Sequence, residues 1–407
     1  MQFLMKHSFT AFCEGLCLWV GLVAVFYVVG LQASRDASKE RGDDGVVTME
    51  TKRVVYGFWV GGLLAQITQS QRVDSAAYAE PTVRRAYPRG LVPRAELHQE
   101  SGLNQAPAGQ EWRAWIDSRY IDTQTLYVAI YQVGMERLHF SSGWVDGAIG
   151  PMMEAAVASF QRSMGIPQTG RIDVLTSQAM GSIPQPFILY TITAEDVKLV
   201  DPPPEKFLDK SKKKRLGYYN LWEVLVEKFH VAPYFLRRLN PAVQELGVGV
   251  QVVVPNVESK RPLPSYKDVG EIKVHLTSKS IQVFDKKARI VAHFPIAIAA
   301  DKEKAPVGRL KVISSVENPN YLFNPEIMKE IAEKEGITQK LVIPPGPNNP
   351  VGIHWIGLNR PGYGIHGTAV PSQIGQAVSH GCIRLANWNV KKFRQMVKIG
   401  SEIDVVW

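Results

Sequence analysis

Cysteine is scarce in this chain: three thiols among 407 residues, at positions 13, 17 and 382. Cys13 and Cys17 lie in an apolar N-terminal stretch. The globular remainder therefore holds one thiol, which has no intramolecular partner, and a disulfide framework is excluded there. Zinc-finger spacing, an aromatic RNA-binding signature and a basic helix are also missing, so nucleic acid is the weakest of the anionic partners. With 45% hydrophobic residues the chain is neither disordered nor fibrous. Its length exceeds one ordinary core and calls for roughly two to four domains.

The charge balance is positive, 47 Lys and Arg against 38 Asp and Glu, a net +9. That excess suits an anionic lipid or an anionic wall polymer. Part of it is one run, Lys210, Lys212, Lys213, Lys214 and Arg215, whose simplest reading is a solvated linker.

Residues 1–79 read as a membrane-spanning or signal region with two apolar segments. Segment 15–33 is long enough to cross a bilayer, but Arg35, Lys39 and Arg41 behind it would hold the rest of the chain in the cytoplasm. Segment 54–67 follows Lys52 and Arg53 and precedes Ala77-Tyr78-Ala79, the order of a secretory signal. Either translation begins at Met49, or both segments insert and the second carries the chain outward. Both routes place everything after about Glu80 outside the cytoplasmic membrane, with inner-membrane anchoring through the first segment on the second route.

Residues 80–120 are rich in Pro, Arg and Gln and read as a tether. Over 121–182 the apolar spacing is helical, with the loop Asp146-Gly147-Ala148-Ile149-Gly150-Pro151, then Phe160-Gln161 and Thr169-Gly170-Arg171-Ile172-Asp173. That order resembles the small three-helix peptidoglycan-binding module, with those residues capping and packing its helices. The Pro/Lys stretch 198–216, containing Pro202-Pro203-Pro204, reads as an extended linker that keeps domains apart. Residues 217–257 read as a small βααβ module: Leu221, Val224, Leu225 and Phe229 mark one helical face, Pro233–Leu239 a second helix, and 250–254 a closing strand. It resembles a lysin-motif domain in degenerate form, with Tyr218-Tyr219-Asn220 at the position of the usual Gly-Asp-Thr; amino-sugar binding and a purely structural spacer both remain open. From 270 to 407 the pattern alternates apolar and polar, which predicts strands at 272–276, 280–284, 290–299, 311–315 and 402–407. A helix is expected over 389–399, with Asn387 as N-cap and Gly400 as its stop. The expected fold is multidomain: a mainly β catalytic domain, a β-sandwich or barrel with a packed helix, behind the two small modules.

The lone thiol stands in Ser379-His380-Gly381-Cys382-Ile383-Arg384, with His366-Gly367-Thr368 upstream. A free thiol is about 3% ionised at neutral pH, so acyl transfer needs a base within hydrogen-bond reach. In an extended run His380 and Arg384 share a face with Cys382, while His366 must arrive from a neighbouring strand. Gly381 lets main-chain N–H groups approach a substrate carbonyl as an oxyanion hole. A zinc site from His354, His366, His380 and Cys382, and a buried structural cysteine, are the competing readings; neither the spacings nor the polar neighbours favour them.

These residues, with Asn349-Pro350-Val351-Gly352, Trp355-Ile356-Gly357-Leu358, Pro361-Gly362-Tyr363-Gly364-Ile365 and Ala305-Pro306-Val307-Gly308, resemble the L,D-transpeptidase family over roughly 270–407. Ala305 and Asn389 depart from its pattern. The resemblance implies Cys382 as nucleophile and His366 as proton donor and acceptor, oriented by the Gly367 carbonyl. It implies an oxyanion hole from the amides of Gly381, Cys382 and Ile383, supporting roles for His380 and Arg384, and substrate contacts from Tyr363 and Ser379. Its partners would be peptidoglycan stem peptides and glycan in the periplasm, with no metal or nucleotide. Two same-chemistry outcomes, L,D-carboxypeptidase and attachment of a protein to the wall, stay open, as does a non-catalytic anchoring protein. For the N-terminus, mass analysis of the natural protein is expected to find no fragment containing residues 1–40 if Met49 is the start; finding one excludes that start.

Overall fold

The computed structural model describes residues 111–379 and 381–407. The apolar segments 15–33 and 54–67, residues 80–110 of the expected tether, and His380 lie outside the described residues. Among the described residues no helix is long and apolar enough to cross a membrane. The end of the expected tether is not extended chain. Glu111–Trp115 forms a 3-10 turn, and Trp112 is buried against Phe187 with ring centroids 5.6 Å apart.

Three helices follow: α1 (Thr123–Arg137), α2 (Pro151–Met164) and α3 (Val174–Met180). Asp122 and Asp173 cap α1 and α3 by accepting backbone N–H bonds, and Pro151 opens α2 where its missing N–H removes nothing. The motif residues are structural. Gln132 accepts from the N–H groups of Asp146 and Gly147, Gln161 ties Gly170, Arg171 and Thr176 together, and Phe160 packs on Phe140.

Strand β1 (Phe187–Thr191) pairs antiparallel with β2 (Gln251–Pro255). Between them lie α4 (Ala194–Lys198), α5 (Phe207–Lys210), α6 (Leu221–Lys228) and α7 (Pro233–Leu239). The two-strand unit therefore opens at 187 rather than 217 and encloses the Pro/Lys stretch. That stretch is no separator: Lys210 is buried with its ammonium over the Phe207 ring, and Leu216 is fully buried beside Phe323 and Ile343. Its buried residues, Pro203, Lys210 and Leu216, tie it to the folded body.

The C-terminal domain contains β3 (Val269–His275), β4 (Ser280–Asp285), β5 (Ile290–Pro295), β6 (Ile298–Ala299), β7 (Gly308–Glu317), β8 (Tyr321–Phe323), α8 (Lys329–Glu335), β9 (Leu341–Ile343), β10 (His354–Leu358), β11 (Gly364–His366), β12 (Ala377–Ser379), β13 (Ile383–Arg384), α9 (Asn387–Phe393) and β14 (Glu402–Val406). Eight of these strands form one sheet in the order β13-β11-β10-β7-β14-β3-β4-β5. The sheet curls until its two ends meet: Ala297, just past β5, exchanges both backbone hydrogen bonds with Arg384 of β13, each 2.9 Å. The alternation seen in the sequence fills the inside of this curl with Ile272, Val274, Val283, Phe294, Ile365, Ile383 and Phe393. Helix α9 is shorter than expected and starts earlier. Its N-cap is Ala386, because the Asn387 side chain is engaged elsewhere.

The helical module, the β1–β2 unit and the sheet share buried contacts. Ser141 and His139 exchange backbone bonds with His293 of β5, and Phe140 and Phe160 pack on Phe284 and Ile290. At the junction of all three lies Glu136 of α1, wholly buried, with Lys392 Nζ of α9 at 2.9 Å and His230 Nδ1 at 3.1 Å. Burial pushes the Glu136 carboxyl up, but Lys392, His230 and Ser141 more than reverse it and hold it below the ordinary glutamate range. Such a group stabilises the fold above its unfolded pKa, and that contribution is lost as pH falls through its lower folded value. Removing one member of a buried pair leaves the other unpaired, at about 3–5 kcal/mol. Glu136→Ala is expected to lower urea stability by that amount across the whole described body; a separate C-terminal transition left at its wild-type midpoint would show the modules to be independent.

Candidate active site

The sheet closure brings the candidate residues to one edge. Strands β11 and β13 run parallel, with Ile365 opposite Ile383 and His366 opposite Arg384. Ile365 and Ile383 are fully buried in the curl. By the two-residue period of strands, His366, Arg384 and Cys382 share the other face. His380 lies outside the described residues.

Cys382 is half-buried, its thiol 3.5 Å from the Gly362 carbonyl. The turn that presents it is held by Ser379, whose hydroxyl donates to the Cys382 carbonyl at 2.6 Å and accepts from the Gly381 N–H at 3.2 Å. Ser379, expected at the substrate wall, is buried with both bonds inside the loop. Gly381 is required on two counts: its φ is +153°, and a Cβ there would lie 2.9 Å from the Tyr363 ring. Tyr363 thus backs the thiol loop, with the Arg360 guanidinium 4.4 Å from its ring centre.

His366 Nδ1 is 2.6 Å from the Gly367 carbonyl. A carbonyl only accepts, so Nδ1 carries the hydrogen; in the neutral ring Nε2 is then the free base. The ring stacks on Trp355, centroids 5.4 Å apart and planes 21° apart. Burial, then the Arg384 charge, push the His366 pKa down to about 3, against the Gly367 bond. Burial pushes the Cys382 thiol up, opposed by the Gly364 N–H and Arg384. The resting pair is therefore neutral imidazole and neutral thiol, and the proton must leave sulfur during attack. His354 takes no part. It neighbours Trp355 on β10 and so points to the opposite face, where Nε2 is 2.9 Å from Ser315 Oγ.

Three contributors lay outside the sequence expectations. Gln373 Oε1 accepts from Arg384 Nη1 at 2.9 Å. Tyr321 of β8 is close enough that the charges of Arg384 and Cys382 act on its phenol, which burial pushes up. Asn387 braces the base loop: its Oδ1 would lie 2.4 Å from a Cβ at Gly367 and accepts from the Ile353 N–H at 3.3 Å, while its Nδ2 donates to Glu227 Oε1 of α6 at 3.1 Å. Burial, then the neighbouring Glu223, push Glu227 up to about 8, so it reaches Asn387 as a neutral carboxyl at pH 7. The motif around Cys382 carries no sign of these partners, and Tyr321 and Glu227 come from segments remote in sequence.

Residues 270–405 match the family described as "L,D-transpeptidase catalytic domain", and residues 127–180 match "Putative peptidoglycan binding domain". The chain is 25% identical over 185 residues to "Putative L,D-transpeptidase YkuD" of Bacillus licheniformis, which spans 45% of this chain and 92% of that protein. Among solved structures it is similar to the L,D-transpeptidase from Mycobacterium smegmatis, at 20% identity and TM-score 0.27, covering 34% of this chain and 59% of that one. It is also similar to L,D-transpeptidase 3 from Mycobacterium tuberculosis in complex with a faropenem-derived adduct, at 17% identity and TM-score 0.25, covering 40% of this chain and 75% of that one.

A neutral resting pair has a measurable signature. Cys382 alkylation by iodoacetamide at pH 7 is expected to be several-fold slower than that of a free cysteine peptide, and the His366 ring to remain neutral by NMR at pH 5. An ordinary histidine would be about 97% protonated there. Between pH 6.5 and 3 the unfolded chain takes up a proton that the folded His366 refuses, so the stability from this group falls as pH falls through that window. An imidazolium at pH 7 would contradict the assignment.

Proposed function

We propose that this chain is a peptidoglycan L,D-transpeptidase that works through Cys382 with His366 as its base, in the domain over residues 270–405 that matches the L,D-transpeptidase catalytic domain. The observation that carries the assignment is the fixed tautomer of His366: Nδ1–H held by the Gly367 carbonyl, Nε2 free, on the face it shares with Cys382. In the proposed reaction sulfur attacks the carbonyl between the third, L-centred residue and the fourth, D-alanine, of a tetrapeptide stem. The thiol proton passes to His366 and on to the leaving nitrogen as the C–N bond breaks. A side-chain amine of a second stem then attacks the thioester, the C–S bond breaks, the amine proton returns through His366 to sulfur, and a 3→3 cross-link results. The Cys382 amide is the proposed main oxyanion donor, since the Gly381 N–H is occupied by Ser379.

The helical module's peptidoglycan-binding match supports the wall as partner. We assign the β1–β2 unit as the lysin-motif-like element at the glycan, and the N-terminal apolar segments as the anchor that holds the enzyme outside the cytoplasmic membrane.

Faropenem is the test acyl donor. The wild type is expected to gain one covalent adduct, on Cys382; Cys382→Ala gains none, and an adduct on that variant would overturn the nucleophile. With disaccharide-tetrapeptide as substrate, His366→Ala is expected to lose about 10²–10⁴ in rate. A much larger loss in His380→Ala than in His366→Ala would reverse their roles. Cross-linked dimers support transfer to an amine; tripeptides without dimers support hydrolysis.

A further inference from the structure

Arg384 presents a charge that no described residue neutralises. It forms no ion pair among the described residues. Its one side-chain bond to a described residue runs from Nη1 to the neutral amide of Gln373. The Nε atom is buried with no partner. Burial weakens the guanidinium's hold on its proton, and the groups that favour the charge are Cys382 and Tyr321, both at the site. A desolvated cation without an anion is costly, and arginine keeps its charge regardless.

Gln373 occupies Nη1 and Nε is sealed inside the protein, which leaves Nη2 as the guanidinium nitrogen that a carboxylate can meet in a charge-assisted hydrogen bond. Arg384 lies two strand residues beyond Cys382, about 6–7 Å along the chain, on the same face. In a tetrapeptide donor the terminal carboxylate is one residue past the scissile carbonyl, about 3–4 Å from it by standard bond lengths. A carbonyl placed on Cys382 therefore brings that carboxylate within reach of Arg384.

Resting on the transpeptidase reading, we propose that Nη2 of Arg384, held in place by Gln373 at Nη1, binds the terminal carboxylate of the residue expelled from the acyl donor. Arg384 is then the specificity determinant for donors ending at that residue. A stem extended by one more residue, or capped as an amide, leaves the guanidinium buried and unpaired. The carboxylate departs with the leaving amine, so the contact favours acylation and is absent when the acceptor attacks. Gln373 is a positioning residue, holding Nη1 so that Nη2 is the nitrogen left for the substrate.

The test uses the whole protein and three synthetic tetrapeptide donors: the free acid, its C-terminal carboxamide, and the free acid with the diamino acid's side-chain carboxyl amidated. Release of the leaving residue is measured as kcat/KM. The wild type is expected to lose about 100-fold on the carboxamide, the scale for truncating one partner of a buried charge pair, and little on the side-chain amide. Arg384→Gln should be slowed comparably on the free acid and show less than about threefold further loss on the carboxamide, because the two changes remove the same contact. Arg384→Lys keeps the charge without the fork; its discrimination should fall at least about tenfold, and it carries the test if the Gln variant does not fold. Undiminished discrimination in these variants overturns the assignment, as does a loss that follows the side-chain amide instead. A wild type that releases nothing from any donor overturns the transpeptidase reading and this one with it.

Discussion

Two backbone hydrogen bonds between Ala297 and Arg384 close the curled sheet, and the candidate site depends on that closure. A strand of two residues, β13 has little pairing of its own. It is held because Arg384 bonds to Ala297 on one side and the strand lies parallel to β11 on the other. The parallel register sets His366 beside Arg384, and Cys382 precedes β13 by one residue. Inward-facing Ile365 and Ile383 keep that register, because a one-residue slip would turn isoleucine to the surface and histidine into the core. Cys382, His366 and Arg384, the proposed nucleophile, base and carboxylate-binding group, are thus placed by backbone pairing, and Ser379 and the Gly367 carbonyl set the finer angles.

Chemistry follows from burial. The His366 ring is dry enough to stay neutral, and Arg384 adds to that preference. The thiol is also held in its neutral form. In the proposed mechanism such a pair resists adventitious alkylation and reacts when a carbonyl is delivered to sulfur while Nε2 takes the proton. The accessory segments are part of this arrangement. Asn387 links the base loop to Glu227 of α6, and Glu136 of α1 is bonded to Lys392 of α9. Carboxyls from two accessory segments therefore reach the catalytic domain from behind the site.

The sequence made the local features legible and the long-range ones obscure. Period-two alternation located β3, β4 and β14, and helical apolar spacing with the loop ending at Pro151 located the helical module that holds α1, α2 and α3. The motif pair at 366 and 382 pointed to the site because glycine and histidine around a lone thiol have few other uses. Strand β1 was missed: its partner β2 lies some 60 residues away, and only tertiary pairing defines it. The Pro/Lys stretch read as a spacer because composition does not show that Leu216 has a pocket waiting beside Phe323. Tyr321, Gln373 and Glu227 carry no motif; each belongs to the site through a contact that sequence spacing does not encode.

The central claim is that Cys382 carries the stem peptide as a thioester. Mixing the enzyme with tetrapeptide donor alone, acid-quenching within one turnover and mapping the adduct by mass tests it directly. The expected product is a tripeptidyl acyl group on the peptide containing Cys382, with one D-alanine released per enzyme. D-alanine release with no acyl-enzyme, or an adduct on any other residue, would contradict it.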